Sequence, residues 1–227
     1  MKAVRIHNFG GPEVLRLDEI AIPEPGAGGV LVKVKAASLN PVDYKMRQGG
    51  YSQAKPEDLP ITLGRDLAGI VEKAGENSSW KKGDEVYGHL DWKHGAYGEF
   101  AIVGEKGLAR KPQAIGMIEA SAIPLAGITA WQGLFTHGRL KAGEKVLIHG
   151  GSGGVGGFAV QFAKACGATV FATASGDGID LVRQYGAARV IDYKHEKFED
   201  ADENFDLILD FELHMNILHG YSRMSRM

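Results

Sequence analysis

Apolar and polar positions follow two textures along this chain. Up to about residue 110 they alternate over short runs: Val30 to Lys35 (VLVKVK), then Gly69 to Lys73, Asp84 to Tyr87 and Phe100 to Val103. Alternation of this kind marks strands with one face in a core and the other in water. Pro23-Glu24-Pro25-Gly26, Gly49-Gly50 and Lys82-Gly83-Asp84 separate the runs at spacings that suit a small barrel. After Pro112 the texture changes. Ile118 to Leu134 is rich in Ala, Leu and Ile and predicts helix, with a break at Pro124. From Glu144 onward strands and helices alternate, as a parallel sheet requires.

The most pronounced of these alternations is Lys145 to Ser175. Val146, Leu147 and Ile148 form an apolar run suited to a strand buried on both faces. Gly151, Gly153 and Gly156 follow with the spacing G-x-G-x-x-G. A helix is then predicted whose stripe is Val155, Phe158, Ala159, Phe162, Ala163 and Cys166, at i, i+3, i+4, i+7, i+8 and i+11. Gly167 suits the left-handed position past its end, and Thr169 to Thr173 reads as the next strand. In such a frame the first glycine is expected to make the tight turn. The second lets backbone approach a pyrophosphate, and the third allows close helix–strand packing. Helix amides and the helix dipole then hold the negative charge, so Gly151, Ser152, Gly153, Gly154, Val155 and Gly156 are the candidate cofactor-binding residues.

Further strands are predicted at Arg189 to Asp192, after a short helix ending at Tyr185-Gly186, and at Phe205 to Asp210. The alternation then stops, although a complete doubly wound domain has six strands. The last segment, FELHMNILHGYSRMSRM, holds three of the six methionines. The expectation is a sheet cut short after its fourth strand, leaving that strand as an exposed apolar edge.

Composition narrows the function class. The 227 residues are 44% hydrophobic and 24% charged, with a net charge of −2. That balance gives no basic surface for nucleic acid, and no apolar run approaches a membrane span. The amino terminus lacks the apolar block of a secretion signal. The single cysteine, Cys166, is placed in the helix core, and its lack of a partner fits a reducing, cytoplasmic setting.

GEKVLIHGGSGGVGGFAVQFAK resembles the signature of the zinc-independent, zeta-crystallin-like quinone oxidoreductases of the medium-chain dehydrogenase/reductase superfamily. The likeness continues in ASLNPVDYKMRQGGY (37–51), LGRDLAGIVEKAG (63–75), KKGDEVYG (81–88), LAGITAWQGL (125–134) and VIDYKHE (190–196), covering about residues 1 to 210. The resemblance implies an α/β protein: a GroES-like, β-rich substrate domain over 1–118, a partial doubly wound (Rossmann) NADP-binding domain over 119–210, and an atypical tail over 211–227. It also implies a cofactor cleft between the domains and hydride transfer from NADPH to a quinone or an α,β-unsaturated carbonyl. It implies a homodimer too, which the absence of the family's usual dimer strands puts in doubt.

By the same resemblance Asn40, Asp43 and Tyr51 line the substrate end and are the catalytic candidates, with Tyr51 and Asn40 polarising the acceptor oxygen. Read alone, Asn40-Pro41 is also an ordinary turn opener, Asp43 a helix cap and Tyr51 a surface aromatic. Thr129 is assigned to the nicotinamide, against a plain reading as a helix residue bonded to its own backbone. NAD binders carry an acid at the end of the second strand, where this chain has Ala174-Ser175 and only later Asp177. Ser175 and Tyr193 match the family's 2′-phosphate ligands, while Gly178 stands at its lysine position; NADPH is the expected cofactor.

The zinc-dependent branch needs a cysteine and a Gly-His-Glu, where this chain has Asn40 and Gly64-Arg65-Asp66. No cysteine precedes Cys166, and His89 and His94 read as solvated loop histidines, so no metal is expected. Two other readings stand beside the reductase: an inactive truncated or frame-shifted fragment, and a crystallin-like protein that binds NADPH without turnover.

Overall fold

The computed structural model describes residues 1–200 and 203–211. It divides into two compact units, Met1–Leu125 and the chain from Ala126 onward.

The first unit is built on antiparallel sheets. β1 (Lys2–Ile6), β2 (Leu15–Glu19) and β4 (Ile61–Thr62) make one of three strands, in the order β2-β1-β4. The other has five strands in the order β7-β3-β5-β6-β8: β3 (Gly29–Ala37), β5 (Asp66–Ala74), β6 (Glu85–His89), β7 (Phe100–Gly104) and β8 (Leu108–Arg110). Val30, Val32, Leu67, Val71, Val86 and Val103 meet in its core. Helix α1 (Pro41–Arg47) follows β3, and Met46 on it packs with Ile6, Ile61 and Leu63. α1 begins where the pattern allows: Asn40 is the N-cap, and Pro41, which lacks an N–H, takes the first helical position.

Helix α2 (Met117–Ser121) ends before Pro124, and α3 (Pro124–Trp131) restarts there, as the break predicts. Beyond α3 the chain widens into a π-helical turn over Gln132–His137. A Cβ on Gly133 would stand 2.7 Å from Leu209 and one on Gly138 2.7 Å from Leu207, so these glycines let the turn lie directly on β12 (Leu207–Leu209).

The second unit is a parallel sheet in the order β11-β10-β9-β12, formed by β9 (Lys145–Ile148), β10 (Thr169–Ala174), β11 (Arg189–Asp192) and β12. Both faces are covered. Val146 and Ile148 join Ala159, Val160 and Ala163 of α4 (Gly154–Ala165), while Leu147 turns to Phe171 and Ile191 on the other side. Two buried faces explain why VLI reads as an unbroken apolar run. Among the described residues β12 pairs only with β9, and Leu207, Ile208 and Leu209 are each half-buried. The expectation of an atypical tail falls on residues outside those described, except Phe211, which packs on the core.

The apolar stripe of α4 is rotated from its expected position. Gly156, Gly157, Ala159, Val160 and Ala163 are buried, whereas Val155, Phe158, Phe162 and Cys166 are only half-buried. Small residues let the helix lie close on the sheet, and the larger aromatics flank it. Phe162 packs against Trp131 at 5.9 Å and Phe158 at 5.8 Å between ring centroids. Cys166 is the C-cap of α4 rather than a core position.

Candidate functional site

The glycine loop lies between β9 and α4 and is pinned to the end of β10. Gly150 donates its N–H to the Thr173 hydroxyl at 3.0 Å, and Gly151 donates to the Thr173 carbonyl at 2.9 Å. The tight turn is made one residue earlier than the motif predicts. Gly150 has φ +65°, while Gly151 has ordinary backbone and its hydrogen faces Ala172, where a Cβ would stand at 2.9 Å. The last motif glycine acts as expected: a Cβ on Gly156 would lie 2.0 Å from the Gly150 carbonyl oxygen.

The start of α4 suits an anion. Its N-cap is Gly153, no side chain caps it, and a Cβ on Gly154 would meet nothing within 4 Å. By position, the backbone N–H groups of Gly154, Val155 and Gly156 are the first-turn donors that have no acceptor within the helix, backed by a helix of 12 residues. Ser152 is exposed at the loop tip. This cradle fits a pyrophosphate.

Ser175 and Tyr193 come together although 18 residues separate them. Ala174 on β10 is in register with Asp192 on β11, so the residue after each emerges at the same edge. The Ser175 hydroxyl donates to the Tyr193 oxygen at 2.8 Å. Asp177 is the N-cap of α5 (Gly178–Gln184). A Cβ on Gly178 would lie 2.8 Å from the Ser152 side chain, so a lysine there would have to displace the loop. Thr129 is half-buried on α3.

Asn40 and Asp43 belong to a polar cluster in the first unit together with Ser38, Arg65, Asp66, His89 and Tyr97, none of which the sequence marks as a site residue. Asp66, fully buried at the start of β5, is its hub. Its Oδ2 accepts from the Ser38 hydroxyl and the Asn40 amide, each at 3.0 Å; its Oδ1 accepts from the Leu125 N–H at 3.0 Å and lies 3.1 Å from His89 Nδ1. The second Asn40 amide proton goes to the Ser38 oxygen at 3.0 Å. Both Asn40 donors are therefore committed, and the expectation that Asn40 polarises an acceptor gains no free proton from this arrangement.

His89 is not in a loop. It lies on β6 with Nδ1 against Asp66, and its Nε2 is 3.4 Å from Arg65 Nη2. A carboxylate can only accept and a guanidinium only donate, so the arrangement suits an imidazole that donates from Nδ1 and accepts at Nε2. His94 does lie in a loop, on Asp91. Arg65 is itself buried, with Nε donating to the Leu90 carbonyl at 2.9 Å. The signal for this cluster was two adjacent charges inside the apolar run LGRDLAGIV.

Asp43 both caps α1 and joins the polar cluster. Its Oδ2 accepts the Asn40 N–H at 2.7 Å and the Tyr97 hydroxyl at 2.8 Å, while its Oδ1 is buried with no donor among the described residues. Burial pushes its carboxyl above the usual range, further raised by Asp66 and opposed by the two hydrogen bonds and by Arg65. Burial and the Asp43 charge push the Tyr97 phenol well above its usual range. Tyr51 is half-buried beside Met46 and Ile61; its hydroxyl makes only a long 3.4 Å bond to Gln53, and its ring centroid is 5.9 Å from the Arg65 guanidinium carbon. Among the described residues no three His, Cys, Asp or Glu side chains are grouped to hold a metal. No described helix is long and apolar enough to cross a membrane.

Comparison with known proteins agrees with both units. The alcohol dehydrogenase GroES-like domain family matches residues 26–113, and the zinc-binding dehydrogenase family matches residues 154–211. The quinone oxidoreductase of Mus musculus is 38% identical over 236 residues, covering 99% of this chain and 70% of that protein. The chloroplastic NADPH-dependent alkenal/one oxidoreductase of Arabidopsis thaliana is 42% identical over 221 residues, covering 92% of this chain and 57% of that protein. The crystal structure of Escherichia coli quinone oxidoreductase complexed with NADPH superposes with a TM-score of 0.87 at 29% identity, covering 100% of this chain and 71% of that one.

Proposed function

The chain belongs to the zeta-crystallin-like quinone oxidoreductases of the medium-chain dehydrogenase/reductase superfamily, and on that premise we propose that it is an NADPH-dependent reductase of quinones and α,β-unsaturated carbonyls. The observation that carries the cofactor reading is the Ser175–Tyr193 hydroxyl pair, held at 2.8 Å by strand register at the edge of a glycine-loop sheet. Two hydroxyls suit a 2′-phosphate, and Asp177, as the α5 N-cap, stands past the strand end where a ribose-binding acid belongs.

When bound, the nicotinamide supplies the hydride. The chain's own residues do the rest. The first-turn amides of α4 hold the pyrophosphate, Ser175 and Tyr193 hold the 2′-phosphate, and Thr129 serves the nicotinamide end. In the first unit the Tyr51 hydroxyl, only weakly engaged by Gln53, is the donor available to an acceptor oxygen. Asn40 and Asp43 act behind it, fixing the start of α1 through the Asn40 N–H bond to Asp43. Residues 1–118 form the acceptor-binding domain and residues 119–210 the nucleotide domain.

No zinc takes part in this reading. Arg65 is a fixed cation beside Asp66 and His89, and a divalent ion there would be repelled by it. The lone cysteine fits a reducing compartment, which supports a cytoplasmic setting.

The test is to mix the folded chain and NADPH with a panel of quinones and enones and follow the nicotinamide absorbance. Loss of absorbance with at least one class is expected. No loss with either class, from a chain shown to be folded, overturns the proposal.

A further inference from the structure

We infer that Lys194 supplies the positive charge for the 2′-phosphate of the cofactor, and so sets the preference for a 2′-phosphorylated over an unphosphorylated adenine nucleotide. This rests on the proposed NADPH dependence and names the residue that carries its charge.

The observation is a phosphate subsite without a cation of its own. Within the Ser175–Tyr193 pair the Ser175 hydroxyl is spent on the Tyr193 oxygen. The pair thus keeps one hydroxyl proton, that of Tyr193, for a ligand and carries no charge. A lysine at position 178 is excluded, since even a Cβ on Gly178 would stand 2.8 Å from the Ser152 side chain. A phosphate monoester carries about two negative charges at neutral pH, which hydroxyls alone leave uncompensated.

Acids stand at the same edge. Asp177 is exposed after β10, and Asp192, in register with Ala174, ends β11. Asp192 is engaged by its own turn: Oδ1 accepts the Lys194 N–H at 3.1 Å, and Oδ2 lies 2.8 Å from His195 Nδ1. The His195 N–H bonds the Asp192 carbonyl at 2.9 Å. These bonds fold the chain after Tyr193 back on the strand end, which keeps Lys194 at the edge where Ser175 and Tyr193 meet. The His195 hydrogen bond, more than the charge of Lys194, holds the Asp192 carboxyl below its usual range. Without Lys194, a 2′-phosphate would therefore meet two carboxylates and no free cation.

The other cations of these strands and helices are accounted for. Arg183 pairs with Asp180 at 3.0 Å and Arg189 with Glu196 at 3.1 Å. Lys194 is exposed, and its ammonium is in no ion pair or hydrogen bond among the described residues. Its four-carbon stem is flexible and carries the charge about as far from the backbone as a tyrosine carries its hydroxyl. Lys197 is exposed and unpaired too, but it lies past the turn and leads into the 3₁₀ turn over Phe198–Asp200. It serves as the control.

The test uses two nucleotides that differ only in the 2′-phosphate, adenosine 2′,5′-bisphosphate and adenosine 5′-phosphate. Their binding to the full chain is measured by calorimetry. The wild-type chain is expected to bind the bisphosphate more tightly. Lys194→Gln should cut that preference by about fivefold or more, Lys194→Arg should keep it, and Lys197→Gln should leave it unchanged. Binding of adenosine 5′-phosphate should be alike in all four proteins, and thermal melts check that they fold alike. Equal preference in wild type and Lys194→Gln overturns the inference and leaves NADPH dependence standing. Equal weakening of both nucleotides overturns it too, since a general surface charge acts on either phosphate. A wild-type chain with no preference for the bisphosphate overturns the NADPH reading, and the inference with it.

Discussion

The Tyr97 hydroxyl lies 2.8 Å from Asp43 Oδ2 and 3.1 Å from the Ser38 carbonyl oxygen, tying the start of α1 to the loop before β7. Gly64 makes this approach possible. It has φ +98°, and a Cβ there would stand 2.5 Å from the Tyr97 ring. Tyr97→Phe should therefore destabilise the chain by about 1–3 kcal/mol, because Asp43 keeps its burial and loses a donor. Urea unfolding of the two proteins checks this, and an unchanged midpoint and slope would contradict it. Gly64→Ala should be at least as damaging, since it strains the backbone as well as displacing the ring.

Asp43 also gives the stability a pH dependence of definite sign. Its carboxyl is raised above the ordinary value of 3.8, chiefly by burial. As pH rises, the unfolded chain releases this proton first and the folded chain later. The group's contribution is most favourable below the unfolded value. It declines as pH passes from there through the folded value and is constant above it. Asp43→Asn removes that decline, so the stability of wild type relative to the variant should fall as pH is raised from about 4 through the elevated folded value. Urea unfolding at both ends measures the gap; a gap that is constant, or that moves the other way, refutes this account of Asp43.

Two glycines of the loop should separate folding from binding. A Cβ on Gly156 meets the Gly150 carbonyl oxygen at 2.0 Å, so Gly156→Ala should destabilise the second unit by roughly 1–3 kcal/mol. A Cβ on Gly154 meets nothing within 4 Å, so Gly154→Ala should leave the melting temperature nearly unchanged while weakening NADPH binding. Thermal melts with and without NADPH distinguish the two. Equal NADPH affinity in folded Gly154→Ala and wild type would argue against this cradle.

Ser175 and Tyr193 should determine the choice between NADPH and NADH. Each hydroxyl can donate to a 2′-phosphate, and removing such a charge-assisted bond weakens binding by about tenfold. Ser175→Ala and Tyr193→Phe should raise the Kd for NADPH by that factor and leave the Kd for NADH nearly unchanged. Titration of nicotinamide fluorescence reads both.

How much of this was legible in the sequence depended on whether a feature was local. The strand, glycine loop, helix and strand from Lys145 to Ser175 were readable because periodicity and glycine spacing are properties of neighbouring residues. The turn itself was misplaced by one residue, since Gly150 and Gly151 are equally able to adopt positive φ and only packing on Ala172 separates them. The α4 stripe was misjudged because size, not apolarity alone, decides which face lies against the sheet. Ser175 and Tyr193 could be paired from resemblance, but their bond depends on the register of β10 and β11. The cluster of Ser38, Arg65, Asp66, His89 and Tyr97 draws on segments up to 59 residues apart, beyond the reach of a local pattern.

The central claim, hydride transfer from NADPH to an enone or quinone, is tested most directly by isotope transfer. The folded chain is incubated with NADPH carrying deuterium at the transferring position of the nicotinamide and with an enone, and the product is analysed by mass spectrometry and NMR. The account predicts one deuterium per product molecule, at the β-carbon. Unreduced enone together with undiminished labelled cofactor, or a reduced product without deuterium, would contradict it.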